Sequence, residues 1–229
     1  MRSYKEIKTK FKPILFSVPM IQAILSGQKK QTRRIIKNIS GECMFCGCSD
    51  FDCSQCKSKT GGPCSWVNSD ETICSACIDF PTDNSKYQID DILWVRETFY
   101  IDYKGITHYK ADPDQYNYAG LWKPSIYMPK TVARIFLRVE DVSAEYIQDI
   151  SDKDAIAEGI EIADFISVAT KYYKNYIGGV HLFISPKKSF ETLWISINGR
   201  QAWDENPLVW TYKFSRLEMA DIDLDTFLN

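Results

Sequence analysis

The side chains most suited to specific chemistry in this sequence are its cysteines. All eight lie in one stretch of the 229-residue chain, from Cys43 to Cys77. Two thiolates of a Cys-x-x-Cys turn can converge on one tetrahedral ion, and two such turns supply the four sulfurs that structural Zn²⁺ takes. Three such pairs are present, with two further cysteines between them: Cys43/Cys46, Cys53/Cys56 and Cys74/Cys77, with Cys48 and Cys64. The spacing predicts bound zinc.

The number of ions is left open by the spacing. Eight thiols can hold two Cys₄ ions, or one ion with spare thiols, and disulfides or free thiols are the alternatives to metal. We expect a reducing cytoplasm, in which clustered cysteines favour metal over disulfides. An all-thiolate tetrahedral site has no open position for a substrate, so the predicted zinc is structural and the chemistry is expected elsewhere.

The composition is that of a globular protein with a sizeable core. The sequence is 45% hydrophobic and 14% aromatic, and it contains no apolar run of about 18 residues that would suggest a membrane span. Residues 1–37 carry ten basic side chains and one acid, whereas residues 218–229 carry four acids and no base. A basic surface fits a phosphate-bearing partner, and the acidic end is interpreted as a disordered or weakly docked tail.

Three short helices have recognisable ends. The first begins at Ser17 with Pro19 and ends at Gly27, and the second is capped by Ser151 and ends at Gly159. The third begins at Ser185-Pro186 and ends at Asn198-Gly199. Strand-like runs cover residues 91–100, 106–110, 133–142 and 208–214. This alternation predicts a small mixed α+β barrel.

The tryptophans divide into two groups by context. Trp94, Trp194 and Trp210 lie in periodic apolar runs and are predicted core residues, whereas Trp122 and Trp203 lie in polar loop contexts and are candidates for stacking on a base. Arg96-Glu97, at the end of an apolar run, is a candidate internal ion pair or a lining of a cleft.

Several motifs, in their order, carry a family resemblance. They are Gly27-Gln28-Lys29-Lys30-Gln31-Thr32-Arg33-Arg34 after a short helix, Asp91-Ile92-Leu93-Trp94-Val95-Arg96-Glu97-Thr98, and Asp149-Ile150-Ser151 with Ala157-Glu158-Gly159. Together with Trp122-Lys123-Pro124-Ser125, they resemble the ASCH domain of the PUA-like superfamily, in particular the longer ASCH proteins of phages and prophages. The resemblance covers about residues 12–216 and implies a β-barrel with flanking helices and a cleft for nucleotides or RNA.

The resemblance also implies a catalytic set. Small bacterial ASCH proteins hydrolyse the amide of N4-acylated cytidines with a lysine, a threonine three residues later and a glutamate on a later helix. By position these fall on Lys29 as base, Thr32 as nucleophile and Glu158 as acid. A base next to a threonine hydroxyl activates it for attack. The small hydrolases are less than half as long and lack the cysteine insertion.

Three functions follow as hypotheses. The first is the binding of RNA or a modified nucleotide in a basic cleft, with contacts from Lys30, Arg33, Arg34, Trp122 and Lys123. The second is the amide hydrolysis just described, and the third is ribonuclease activity, which some relatives of the fold possess. The expected layout is an ASCH domain over residues 1–39 and 81–216, an inserted zinc lobe over 40–80 and an acidic tail over 217–229.

Overall fold

The computed structural model describes residues 10–37, 41–113, 122–163, 170–179 and 181–228. Three of the N-terminal basic residues, Arg2, Lys5 and Lys8, lie outside these ranges. The strands are β1 (Phe11–Leu15), β2 (Gln31–Ile35), β3 (Ile92–Arg96), β4 (Phe99–Ile101), β5 (Thr107–Tyr109), β6 (Phe136–Tyr146), β7 (Ile162–Ala163), β8 (Tyr172–Tyr173) and β9 (Leu208–Leu217). The α-helices are α1 (Val18–Leu25), α2 (Ser54–Thr60), α3 (Asp152–Ala157), α4 (Pro186–Asn198), α5 (Arg200–Asp204) and α6 (Leu224–Leu228).

The fold is α+β and contains a mixed sheet. Five strands form it in the order β1-β3-β6-β9-β2. β1 pairs with β3 in parallel, with Ile14 opposite Val95. β3 pairs with β6 antiparallel, with Leu93 opposite Leu137. Strand β3 is almost continuously apolar, which is typical of a strand that is covered on both faces. Two small antiparallel pairs, β4-β5 and β7-β8, complete the strands of the described ranges.

The chain divides into two compact units. The first consists of residues 1–30, 89–140 and 213–229 and the second of residues 31–88 and 141–212. In the first unit an aromatic core forms around Phe227, whose ring centroid lies 5.0 Å from those of Phe11 and Phe136 and 6.0 Å from that of Trp94. Such edge-on and tilted ring pairs stabilise a core beyond the apolar area that they bury.

The acidic end of the chain is part of this core. Helix α6 follows a 3₁₀ turn, and Phe227 is 1% exposed. Ile222 is buried in the same cluster, and Lys130 Nζ donates a hydrogen bond to the Phe227 carbonyl over 3.0 Å. The interpretation of this segment as a disordered or weakly docked tail is therefore wrong. The acids of this segment indicate a tail, but its buried apolar side chains, Ile222 and Phe227, decide its position.

The core of the second unit lies around helix α4. Phe190 and Trp194 of α4 pack with Trp203 of α5 and with Ile147 and Val209. Trp203 is 7% exposed, so its predicted role as a stacking platform is wrong. The core predictions for Trp94, Trp194 and Trp210 are confirmed, since all three are buried.

The predicted helix ends are confirmed. In α3 the Ser151 hydroxyl accepts a hydrogen bond from Asp154 N (3.1 Å) and donates one to Asp154 Oδ2 (2.7 Å). Ser185 caps α4 by accepting from Lys188 N. Ser17 precedes α1 in the extended conformation, but its side chain makes no capping hydrogen bond. In the described ranges no helix combines the length and the hydropathy that crossing a membrane requires.

The predicted strand over residues 91–100 is two strands, β3 and β4. At the break, Arg96 and Glu97 do not form the predicted pair with each other. The Arg96 guanidinium donates to the Ile126 carbonyl, and the fully buried Glu97 binds Arg134 through two hydrogen bonds of 2.9 Å. Successive residues of an extended strand point to opposite faces, which separates the two charges.

Candidate functional sites

The segment from Gly27 to Lys29 leads out of helix α1. Gly27 adopts φ = +75°, a left-handed conformation that ends a helix at low cost for glycine. The amides of Gln28 and Lys29 both donate to the Ala23 carbonyl, over 2.9 and 2.8 Å. The Lys29 side chain is 2% exposed, and its Nζ lies 5.7 Å from the centre of the Phe16 ring. A buried ammonium is rare in proteins unless it is paired or functional.

Strand β2 follows and buries polar side chains. Gln31, Thr32 and Arg33 are 2%, 1% and 4% exposed. Gln31 Nε2 donates to the Asp154 carbonyl of α3 over 2.8 Å, which ties this strand to the helix that precedes Glu158. The sequence does not suggest a strand here, because Gln31-Thr32-Arg33-Arg34 has no apolar alternation.

Arg33 holds two carboxylates. Its Nε and Nη2 contact Glu145 Oε1 over 2.7 and 2.5 Å, and its Nη1 donates to Glu158 Oε1 over 2.9 Å. The Thr211 hydroxyl donates to the same Glu145 oxygen over 3.1 Å. We call Arg33, Glu145, Glu158 and Thr211 the polar cluster. Hydrogen bonds between ionised partners are the strong ones, and the fork of arginine fixes their direction.

Glu158 occupies the C-cap position of α3, and the whole residue is 5% exposed. It is therefore not the solvated acid that a helix end would suggest. Arg34, on the same strand as Arg33, also interacts electrostatically with Glu158. Burial lowers the pKa of Arg34 from its ordinary value, while Glu158, Tyr87 and Tyr212 oppose that shift. Burial also raises the pKa of Tyr212 to about 12.

The candidate residues therefore fall in different environments. Lys29 belongs to the first unit, and Thr32, Arg33 and Glu158 belong to the second. Of these, the described contacts join Arg33 to Glu158. Among the candidates for nucleic-acid binding, Lys30 and Lys123 are exposed and Trp122 is half-buried. Arg33, by contrast, is buried with its guanidinium between two carboxylates.

Glu145 is a member of the polar cluster that sequence reasoning missed. It lies near the end of β6, beyond the predicted limit of that strand. It bonds a side chain 112 residues away in the sequence. No local pattern marks such a residue, because its role depends on a partner that only the folded chain provides.

The eight cysteines form two groups that can each hold a metal ion. Within each group the four sulfurs lie within 4.8 Å of one another. The first cysteine group is Cys43, Cys46, Cys74 and Cys77, and the second cysteine group is Cys48, Cys53, Cys56 and Cys64. The four thiols of each group are the donor set of a structural Zn²⁺ site. The sequence therefore identified the candidate ligands but not how they divide into two groups.

The two groups differ in exposure. All four members of the first group are buried, whereas Cys53 and Cys64 of the second are partly exposed. These two line an open pocket of about 220 Å³ together with Phe51, Lys57 and Trp66. The second group is therefore the one that solvent and chelators reach more easily.

No family model, no curated protein and no solved structure matches this chain significantly.

Proposed function

We propose that this chain has the PUA-like fold of ASCH proteins and hydrolyses the amide of an N4-acylated cytidine or a similar modified base. The observation that carries the proposal is the burial of Lys29, Thr32 and Glu158, which are 2%, 1% and 5% exposed, with the Glu158 carboxyl held by Arg33 Nη1 over 2.9 Å. Lys29 precedes Thr32 by three residues in the chain.

The burial of these groups supports a functional role. Taking an arginine and a glutamate out of water costs several kcal/mol per ion, which their attraction offsets only with good geometry. Apolar residues of similar volume would fill the same space without that cost. Buried ionisable groups of this kind are concentrated at functional sites.

The proposed reaction assigns a task to each residue. Lys29 takes the proton of the Thr32 hydroxyl, and Thr32 Oγ1 adds to the acyl carbonyl. The bond between the carbonyl carbon and N4 then breaks. Glu158 acts in its protonated form, with Oε1 still accepting from Arg33, and supplies the proton that N4 needs to leave as the cytosine amine. Water then adds to the acyl carbon and gives one proton to Glu158. Lys29 returns its proton to Thr32 Oγ1 as the ester bond breaks, and the acid leaves. Arg33 orients the Glu158 carboxyl throughout.

The test is the release of cytidine from N4-acetylcytidine by the purified protein and by four variants. Lys29→Ala, Thr32→Val and Glu158→Gln each remove a proposed chemical group, and we expect each to lower kcat by about 10²- to 10⁴-fold. Glu158→Gln keeps an oxygen that can accept from Arg33, so the fold is preserved. Glu161→Gln is the matched control, because Glu161 is exposed and binds Lys174.

Full activity in the three variants, or none in a folded wild-type protein, would contradict the hydrolase proposal. A loss in Glu161→Gln equal to that in Glu158→Gln would contradict the assignment of Glu158. Circular dichroism of each variant separates a chemical effect from unfolding.

RNA binding is the second candidate, and one observation favours it. Lys30, Trp122 and Lys123 all belong to the first unit, where the two lysines are exposed and the tryptophan is half-buried. Aromatic and basic side chains together suit single-stranded RNA. RNA binding should weaken steeply with salt because it releases counterions, whereas nucleoside hydrolysis should not. A gel of the bound RNA distinguishes simple binding from ribonuclease activity.

We also propose that the metal of the cysteine groups is Zn²⁺ and that its role is structural. Soft thiolate ligands select Zn²⁺ over Mg²⁺ or Ca²⁺. The all-cysteine donor sets support this assignment, since they offer no open coordination position. Metal analysis of the purified protein by mass spectrometry tests the identity and the number of ions.

A further inference from the structure

The two cysteine groups meet at Cys56. Although Cys56 belongs to the second group, its sulfur lies 3.7 Å from that of Cys46 and 3.6 Å from that of Cys74, both of the first group. Cys46 and Cys74 are themselves 3.7 Å apart. Within its own group, Cys56 lies 3.3 Å from Cys48.

These distances match the faces of a metal-thiolate tetrahedron. With zinc-sulfur bonds of about 2.3 Å, two sulfurs on one tetrahedral ion are about 3.8 Å apart. Cys46, Cys56 and Cys74 form a nearly equilateral triangle of this size. The sulfur of Cys56 is therefore placed to bind the ion of the first group as well as the ion of its own group.

Charge favours such sharing. Two dications with eight separate thiolates carry a net charge of −4, and most of these cysteines are buried. Negative charge in a region of low dielectric is costly unless it is neutralised. A thiolate that bridges two ions is a ligand of both, so the centre needs one thiolate fewer. Seven thiolates then complete two tetrahedra. The eighth cysteine, one of the first group, stays a neutral thiol, and the net charge falls to −3.

We propose that the two cysteine groups form one binuclear centre in which the Cys56 thiolate bridges two divalent ions. The ions then lie at most about 4.6 Å apart, twice the zinc-sulfur bond length. Their binding is linked, because both use the same sulfur. This proposal rests on the metal binding proposed above and is independent of the amide hydrolysis. Protein that binds no cadmium would contradict the metal sites themselves, whereas two bound ions without a shared sulfur would contradict only the bridge.

The experiment replaces the native metal with ¹¹³Cd²⁺, a thiophilic nucleus of spin one half. In a proton-cadmium correlation spectrum of the full chain, the β protons of Cys56 should correlate with two cadmium resonances. The β protons of Cys64 should correlate with only one cadmium resonance. The two cadmium resonances should also show scalar coupling to each other through the shared sulfur. Correlation of Cys56 with a single cadmium, or two cadmium signals without mutual coupling, would overturn the proposal.

A pair of variants provides the second test. Cys56→Ser should abolish the cadmium-cadmium coupling and shift both resonances. Cys64→Ser is the matched control, since it removes a ligand of the second group and should leave the coupling in place. Coupling that survives in Cys56→Ser would overturn the assignment of the bridge. If Cys56→Ser does not fold, the wild-type correlations still decide the question.

Discussion

At the scale of single residues, two arginines of the described ranges pair with buried glutamates. In the second unit, Arg33 binds Glu145 and Glu158. In the first unit, Arg134 binds the fully buried Glu97 and also Asp112, over 2.7 Å. Breaking such a pair is far more costly than replacing both partners, because the remaining charge has no compensation.

The first-unit pair makes stability depend on pH. Burial raises the pKa of Glu97, and the hydrogen bonds and charge of Arg134 oppose that rise. Arg134→Met removes the opposing contribution and raises the pKa of Glu97 further. The folded state then binds a proton more tightly than the unfolded state, so stability falls as pH increases from about 4.3, the ordinary glutamate pKa, to the raised value.

We therefore expect Arg134→Met to lower the free energy of unfolding by about 3 to 5 kcal/mol at pH 7, and by less near pH 4. Urea denaturation at both pH values measures the difference. The double variant Arg134→Met/Glu97→Gln is the control, and it should lose most of the added pH dependence. If Arg134→Met lowers the free energy of unfolding equally at both pH values, Glu97 is not the source of the pH dependence.

At the scale of elements, capping residues set the helix ends. The hydroxyl of Ser151 bonds the amide and the side chain of Asp154, and α3 then leads directly to Glu158. The side chain of Ser17, at the start of α1, makes no capping hydrogen bond. Two serines at the N-cap position therefore differ, because only the side chain of Ser151 caps its helix with a hydrogen bond.

Ser151→Ala should lower the free energy of unfolding by about 1 kcal/mol, since it leaves a helical amide without its cap. Ser17→Ala is the matched control and should change stability by a few tenths of a kcal/mol at most, within the range of ordinary surface substitutions. Chemical denaturation of both variants makes the comparison. Equal losses would show that the capping hydrogen bond of Ser151 is not what stabilises α3.

The elements also show where local patterns fail. The ends of α1, α3 and α4 could be predicted because caps and apolar periodicity are local. Strand β2 could not, since its residues are polar and its burial depends on Glu145 and Glu158, far along the chain. The sequence does not predict helix α6, because the acids of this segment indicate a tail, whereas the burial of Phe227 depends on Phe11 and Phe136, far away in the sequence.

At the scale of the whole molecule, the cysteine groups join distant parts of the second unit. Phe45, between two cysteines of the first group, packs edge-on against Trp210 of β9 with ring centroids 5.6 Å apart. Asn84 Nδ2 donates to the Phe45 carbonyl over 2.6 Å. A metal that orders residues 43–77 thus also stabilises contacts outside the cysteine segment.

Removal of the metal by a chelator should therefore increase amide hydrogen exchange across residues 43–77 by several orders of magnitude. It should also increase exchange in β9 near Trp210. Strand β3 should keep its protection, because its described neighbours include no cysteine. Mass spectrometry of exchanged peptides measures all three regions, and readdition of Zn²⁺ is the control. Unchanged exchange at residues 43–77 would exclude a structural metal.

The sequence by itself determined which side chains can bind metal and where three helices begin and end, because a Cys-x-x-Cys turn and a helix cap are local structures. The candidates Lys29, Thr32 and Glu158 came from the family resemblance that the sequence motifs carry, and they stay a prediction. Only the tertiary structure decided that Cys43/Cys46 joins Cys74/Cys77, while Cys53/Cys56 joins Cys48 and Cys64. That division depends on how the chain folds back between the Cys-x-x-Cys turns. This folding is set by packing between residues far apart in the sequence.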